Sequence, residues 1–234
     1  MKTVRHDFMT TARMRVKQAI EAGRKEEALK AVDEIWEEGR PIHDLYGDMA
    51  AVFLDFVQEK LGEEAVEEAW RYVGEKLWRP VLEAFREKNP ELLATTYAMF
   101  LRSHGYNFTC EEDDEKFTFL LQYCPSGGRM LQEGKAATST RHPLNLGVTT
   151  KAHPWGFNRE GVLYYCAHTQ LWFDSQPREW GIDLFAAHYG EFNDKGEVVG
   201  RPCAVTISKR TRTAPHPNPL LKEERESPSP SGKG

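Results

Sequence analysis

A chain of 234 residues with 31 lysines and arginines against 36 aspartates and glutamates carries a net charge of −5. That balance argues against broad nucleic-acid binding, which needs positive charge to displace counterions. A hydrophobic fraction of 40% and a charged fraction of 29% suit a globular protein with a substantial core, no apolar run approaches the ~20 residues of a membrane span, and the opening M-K-T-V-R-H-D lacks a signal peptide's apolar segment. Four dispersed cysteines form no dense disulfide framework, so the expectation is a cytoplasmic protein with reduced thiols.

Taken in order, Thr3 to Ala22 reads as helix, with Phe8, Ala12, Val16 and Ile20 at four-residue steps and Gly23 as its end. Glu26 to Glu38 follows as a short amphipathic helix with Ala28, Val32, Ile35 and Trp36 on one side. These short charged segments need a larger body or a second subunit to cover their apolar faces, which makes a homodimer an expected assembly. Gly39-Arg40-Pro41 reads as the opening of a new helix, because proline is well placed in a first turn. Its apolar face is Ile42, Leu45, Tyr46, Met49, Phe53 and Phe56, with Asp44, Asp48 and Asp55 opposite and His43 and Gly47 on the flank. Leu61-Gly62 ends it. Glu63 to Lys88 is predicted as a long helix bent at Pro80, and Pro90 begins another that stops at His104-Gly105.

After Gly105 the period changes to two. Tyr106, Phe108 and Cys110 alternate with polar residues, as do Phe117, Phe119, Leu121 and Tyr123, and the acidic Glu111–Glu115 stretch connects them as a hairpin. Pro125 to Asn158 is rich in Gly, Pro, Ser and Thr and reads as a long loop. Val162 to Ala167 is predicted as a strand with Val162, Tyr164, Cys166 and His168 on one side. Gln170 to Trp180 reads as a short helix broken at Pro177. Ile182–Tyr189 and Pro202–Lys209 are two further strands joined through a turn at Asn193–Gly196. From Thr211 the chain is Pro-, Ser- and charge-rich and expected to be disordered. The fold class is α+β, an N-terminal helical layer packed on a C-terminal antiparallel sheet. Residues 1–40 read as a helical extension, 41–210 as the α+β domain and 211–234 as a tail.

Chemistry concentrates between Gln122 and Trp172. Cys166 and His168, two apart on a strand, would aim at one point, and Cys124 with His153 would complete a Cys2His2 set for zinc. The bland alternative is a pair of buried core thiols and two locally bonded imidazoles. A second chemistry discards the metal: a thiolate at Cys124 or Cys166, assisted by His153 or His168, attacks an electrophilic carbon, with Cys124 favoured because it stands beside the glycine-rich loop. Gly127, Gly128 and Arg129 would hold a carboxylate or phosphate, set against an ordinary flexible turn. In H-D-L-Y-G-D, His43 could look into a cleft from the helical side. Trp155 and Tyr164 would suit an aromatic pocket wall, although such rings are more often core.

The combination of H-D-L-Y-x-D at 43–48, Y-C-P at 123–125, C-x-H at 166–168 and G-x-P-C-x-x-x-I at 200–207 resembles the L-2-amino-thiazoline-4-carboxylic acid hydrolase-like family over 42–209. The ending also resembles 4-vinyl-reductase small-molecule-binding domains. The chain departs from C-P-C and C-x-H-C at Ser126 and Thr169, which puts a relative's full thiolate set in doubt. The resemblance implies ring-opening hydrolysis of a small carboxylated substrate. The leading expectation is therefore a hydrolase of a carboxylated N- or S-containing compound; a Zn²⁺ ion, if present, would be held by Cys124, Cys166 and His168, with His153 either the fourth ligand or a proton-transfer residue. The alternative is a small-molecule-binding or sensor domain that catalyses nothing.

Overall fold

The structure, a computed structural model, describes residues 6–85, 89–136 and 144–209. The tail predicted from Thr211 lies outside the described residues, as do the first residues of the opening helix and the end of the helix predicted to reach Lys88.

A four-stranded antiparallel sheet in the order β1-β2-β4-β3 is built from β1 (Asn107–Glu112), β2 (Lys116–Tyr123), β3 (Phe185–His188) and β4 (Cys203–Ser208). Strand register explains the core. Phe117, Phe119 and Leu121 pair with Ile207, Val205 and Cys203, and Phe185 and Ala187 pair with Ile207 and Val205. With a side-chain period of two, these residues share one face. That face is packed by Leu93, Ala94, Tyr97 and Leu101 of α6 (Pro90–Ser103) and by Leu82, Phe173 and Ile182. The architecture is α+β, with the longer helices preceding the sheet. Edge strand β1 is largely exposed and carries Glu111 and Glu112, charges that discourage pairing with another edge.

The helical layer departs from expectation in three places. The first predicted helix is divided: α1 (His6–Met9) ends before Thr11, whose side chain caps α2 (Ala12–Glu21) at the Met14 N–H. The next two are one: α3 runs unbroken over Lys25–Leu61, with Pro41 inside it. Pro41 is exposed, so the carbonyl it leaves without an N–H can take water, and α2 packs along the N-terminal half. The third departure is the largest. The face of Ile42, Leu45, Tyr46, Met49, Phe53 and Phe56, expected inside, is turned outward, and each residue is at least 42% exposed. Gly47, Ala51 and Leu54 are buried instead, on the side that carries Asp44, Asp48 and Asp55. The cause is tertiary: Arg129 and Lys135 bind Asp48, and the Gly147 N–H donates to Asp55.

The helix predicted over 63–88 is α4 (Glu64–Val73), a π turn at Gly74–Trp78, and α5 (Arg79–Glu83). Pro80 follows directly on the π turn, in the first turn of α5. The predicted loop contains α7 (Gly127–Gln132) and a 3₁₀ turn at Pro154–Gly156. Val162–Ala167 is not a strand. A 3₁₀ turn at Tyr164–Cys166 leads into α8 (Ala167–Gln170), a second π turn at Leu171–Ser175 and α9 (Gln176–Glu179). Pro177 therefore starts a helical turn, and the irregular residue is Phe173 (φ −121°, ψ 20°). The two π turns lie against each other. A Cβ on Gly74 would stand 2.8 Å from the Trp172 ring and overlap the Gln176 amide, so glycine is required by close approach.

Candidate functional site

Three thiols meet where β2 ends, β4 begins and the 3₁₀ turn passes. Cys124, Cys166 and Cys203 line one chamber of about 40 Å³ together with Tyr106, Tyr165, Tyr189 and His168. Gly127 and Gly128 open α7 at its wall. A Cβ on Gly127 would overlap the Cys166 sulfur, and one on Gly128 would stand 2.9 Å from the Cys124 Cβ. The glycines thus serve close packing of backbone on thiol. The Cys124 thiol lies 3.4 Å from the Tyr106 hydroxyl, and the Gly190 N–H donates to the Cys203 sulfur at 3.1 Å.

A larger cleft of about 330 Å³ adjoins the chamber. Leu77, Trp78, Tyr97, Phe100, Trp172 and Phe173 form its walls, and Tyr106, Leu121, Tyr165, His168 and Thr169 border both spaces. Both π turns contribute rings to this cleft. The two spaces together are mostly apolar with a few hydroxyls and thiols, and the cleft falls in the size range of small-molecule sites.

Burial sets the protonation of these groups. It pushes the Cys166 thiol well above its ordinary value, with Cys124 and Cys203 adding to the rise, and pushes Cys203 up to about 12. Tyr165 is pushed up to about 12 by the same burial. His168 is packed by Trp70, Tyr165 and Trp172 at centroid distances of 5.3, 5.0 and 4.7 Å. Its Nδ1 is hydrogen-bonded to the Tyr165 carbonyl, and burial brings its pKa down to about 4. A depressed histidine contributes stability that is whole above its unfolded value of about 6.5 and is lost as pH falls toward 4. In His168→Leu, the fall in unfolding free energy between pH 6.5 and 4.5, read from urea titrations, should be smaller by ~1 kcal/mol or more.

Of the four residues expected around zinc, Cys124, Cys166 and His168 share the chamber wall and His153 does not. The C-x-H pair sits on a 3₁₀-to-helix junction, so its two side chains do not project in parallel as they would on a strand. His153 is buried elsewhere. Its ring stacks on Trp155 at 4.5 Å, and its Nε2 lies 3.3 Å from the Glu63 carboxylate. Among the described residues no three His, Cys, Asp or Glu side chains are placed to hold a metal ion.

The Glu63 carboxylate also accepts from the Thr150 N–H at 2.7 Å and the Thr150 hydroxyl at 2.6 Å, and Tyr164 bonds to it as well. Trp155 and Tyr164 therefore belong to the packing of loop on helix, with Leu54, Val66 and Trp70. Burial raises the Glu63 pKa, but the Thr150 and His153 contacts outweigh it and the net shift is downward. Its stabilising contribution is thus present above the ordinary glutamate range and lost as pH falls through the lower folded value. Glu63→Gln should cost ~1–2 kcal/mol at pH 7, and the difference from wild type should close below about pH 4 in urea titrations.

Arg129 is also committed elsewhere. Only 6% of its side chain is exposed, and it pairs with Asp48 at 2.7 Å, Glu133 at 2.7 Å and Asp44 at 3.2 Å. Lys135 joins Asp48 and Glu133 at 2.5 and 2.7 Å. The anion expected at Arg129 is supplied by the protein itself. His43, bonded to Asp44 at 3.0 Å, packs between Trp36 and His104 and does not line the thiol chamber. Residues that periodicity missed are Cys203, Tyr106 and Tyr189. Cys203 shares a strand face with Val205 and Ile207, so pairing β4 beside β2 would have placed it next to Leu121. No family model, no curated protein and no solved structure matches this chain.

Proposed function

We propose that the protein binds a small, uncharged, largely apolar molecule in the aromatic cleft and the thiol chamber behind it, and works as a ligand-binding or sensor domain. One observation carries this reading: charge is kept out of the site. Arg129 and Lys135 are neutralised by Asp44, Asp48 and Glu133, Glu63 and His153 face each other, and the two spaces are lined by apolar side chains, thiols, hydroxyls and the imidazoles of His104, His168 and His188, with no Arg, Lys, Asp or Glu among them. A bound carboxylate would lack a counter-charge and lose its hydration.

The hydrolase suggested by the family resemblance asks for a thiolate or an activated water. Cys166 and Cys203 are held protonated at neutral pH, as expected of buried, inert thiols. The Cys2His2 zinc set is not supported by the placement of His153. Three of its four members do share a wall, so elemental analysis of protein purified without added metal remains a direct check.

Matched pairs of small aromatic compounds test the proposal, each an amide beside its carboxylate (benzamide and benzoate, indole-carboxamide and indole-carboxylate). At a hundredfold excess over Kd, a binder adds about 2.7 kcal/mol, which is about 5–10 °C in Tm for a chain of this length. Neutral members should produce this shift and be recovered unchanged by mass spectrometry. Cys203→Met, which fills the chamber, should abolish it. Preference for the carboxylates, with loss of that preference in Arg129→Lys, would overturn the reading. So would conversion of the compound.

A further inference from the structure

The outward face of α3 is apolar over four turns, although its inward face is already packed. Ile42, Leu45, Tyr46, Met49, Val52, Phe53 and Phe56 are 42–61% exposed. A helix that is hydrophobic on both sides is a buried helix. Among the described residues nothing covers that side. The residues outside the described ones hold few large apolar side chains, and in 210–234 these are Leu220 and Leu221 alone.

We infer that this face is the contact between two copies of the chain, with the α3 helices antiparallel across a two-fold axis near Met49. The spacing of Ile42, Leu45, Met49, Val52 and Phe56 alternates three and four, which is the period of a seam between two helices. Antiparallel pairing centred on Met49 sets Ile42 against Phe56, Leu45 against Phe53 and Tyr46 against Val52. Each bulky ring then meets an aliphatic side chain, and the same patch complements itself, as two-fold contacts require.

Charge agrees with this arrangement. Asp44, Asp48 and Asp55 are drawn inward by Arg129, Lys135 and Gly147, so no carboxylate interrupts the seam. The area is adequate as well. Seven half-exposed side chains of this size leave on the order of 800 Å² per chain, the share of one partner in a standard stable interface.

Sedimentation equilibrium of the full chain at about 1–50 µM tests the inference, with circular dichroism as a control for folding. Wild type should sediment at twice 26.8 kDa. Met49→Glu and Phe53→Glu place two like charges in a desolvated seam. Each should yield a folded monomer, or weaken association ~100-fold or more. Because both residues are exposed in one copy, the substitutions should leave its helicity unchanged. Crosslinking of a mixture of Ile42→Cys and Phe56→Cys chains should trap the heterodimer and set the orientation. A wild-type monomer at 50 µM would overturn the proposal. So would a dimer that survives both charge substitutions, or a monomer that instead floats with anionic phospholipid vesicles.

Discussion

Arg129→Met is expected to lower unfolding stability by about 3–5 kcal/mol, the cost of removing one member from a buried ionic network. The guanidinium connects α7 to α3 through Asp44 and Asp48 and also binds the residues flanking its own helix, Glu133 and the Pro125 carbonyl. Methionine fills much of the volume but leaves Asp44 and Asp48 with Lys135 as the only nearby cation of the group. Burial raises the Asp48 pKa, and the Lys135 and Arg129 bonds bring it below the ordinary aspartate value. Without Arg129 that lowering shrinks. The variant's deficit should therefore be largest at neutral pH and shrink only as pH falls below about 4, through the lowered Asp48 value of the parent chain. Urea unfolding at pH 7 and at about pH 3 reads both effects. A ligand anchor would behave differently, since its removal weakens binding and leaves the stability of the free protein nearly unchanged. A loss below 1 kcal/mol at pH 7 would mean that the network contributes no more than a surface pair.

Gly127→Ala should cost about 2–3 kcal/mol, the usual penalty for forcing a carbon into a filled space. The added methyl would occupy the position of the Cys166 sulfur, and Cys166 is fixed between the 3₁₀ turn and α8. Cys166→Ala removes that sulfur and should restore most of the loss. In the double variant the helix-favouring character of alanine over glycine, roughly 1 kcal/mol, becomes visible. The expected coupling energy is thus about 2 kcal/mol, read from a four-protein cycle by urea unfolding. Additive effects in that cycle would show that the glycine is needed for its backbone and not for the thiol beside it.

The sequence carried much of this architecture. Alternation in 106–123 located the β1–β2 hairpin, Pro90 and Gly105 bounded α6, and the switch of period at Gly105 separated helices from sheet. Legibility failed where local pattern and tertiary charge disagreed. The period of α3 shows two distinct faces but not which is outside, because that is decided by Arg129 and Lys135, more than 70 positions away. The strand expected at 162–167 failed for a related reason. Val162, Tyr164 and Cys166 alternate as in a strand, yet Gly147 and Glu63 hold Tyr164 in a turn through long-range hydrogen bonds. At the site, proximity in sequence was informative for Cys124, Gly127 and Gly128. It said nothing about Cys203, and it joined His153 to a group that the loop's own carboxylate partner draws it away from.

The two π turns, at Gly74–Trp78 and Leu171–Ser175, have a consequence for how such a cleft can change. Each contains one residue more than a regular turn, as if a single codon had been added to a helix. Removing that residue would restore ordinary winding and swing the ring beyond it through roughly 100°. Trp78 and Trp172, which line the cleft from within these two turns, are the rings such a change would re-aim. The lining of the cleft is therefore adjustable in whole-residue steps of chain length, without substituting a side chain.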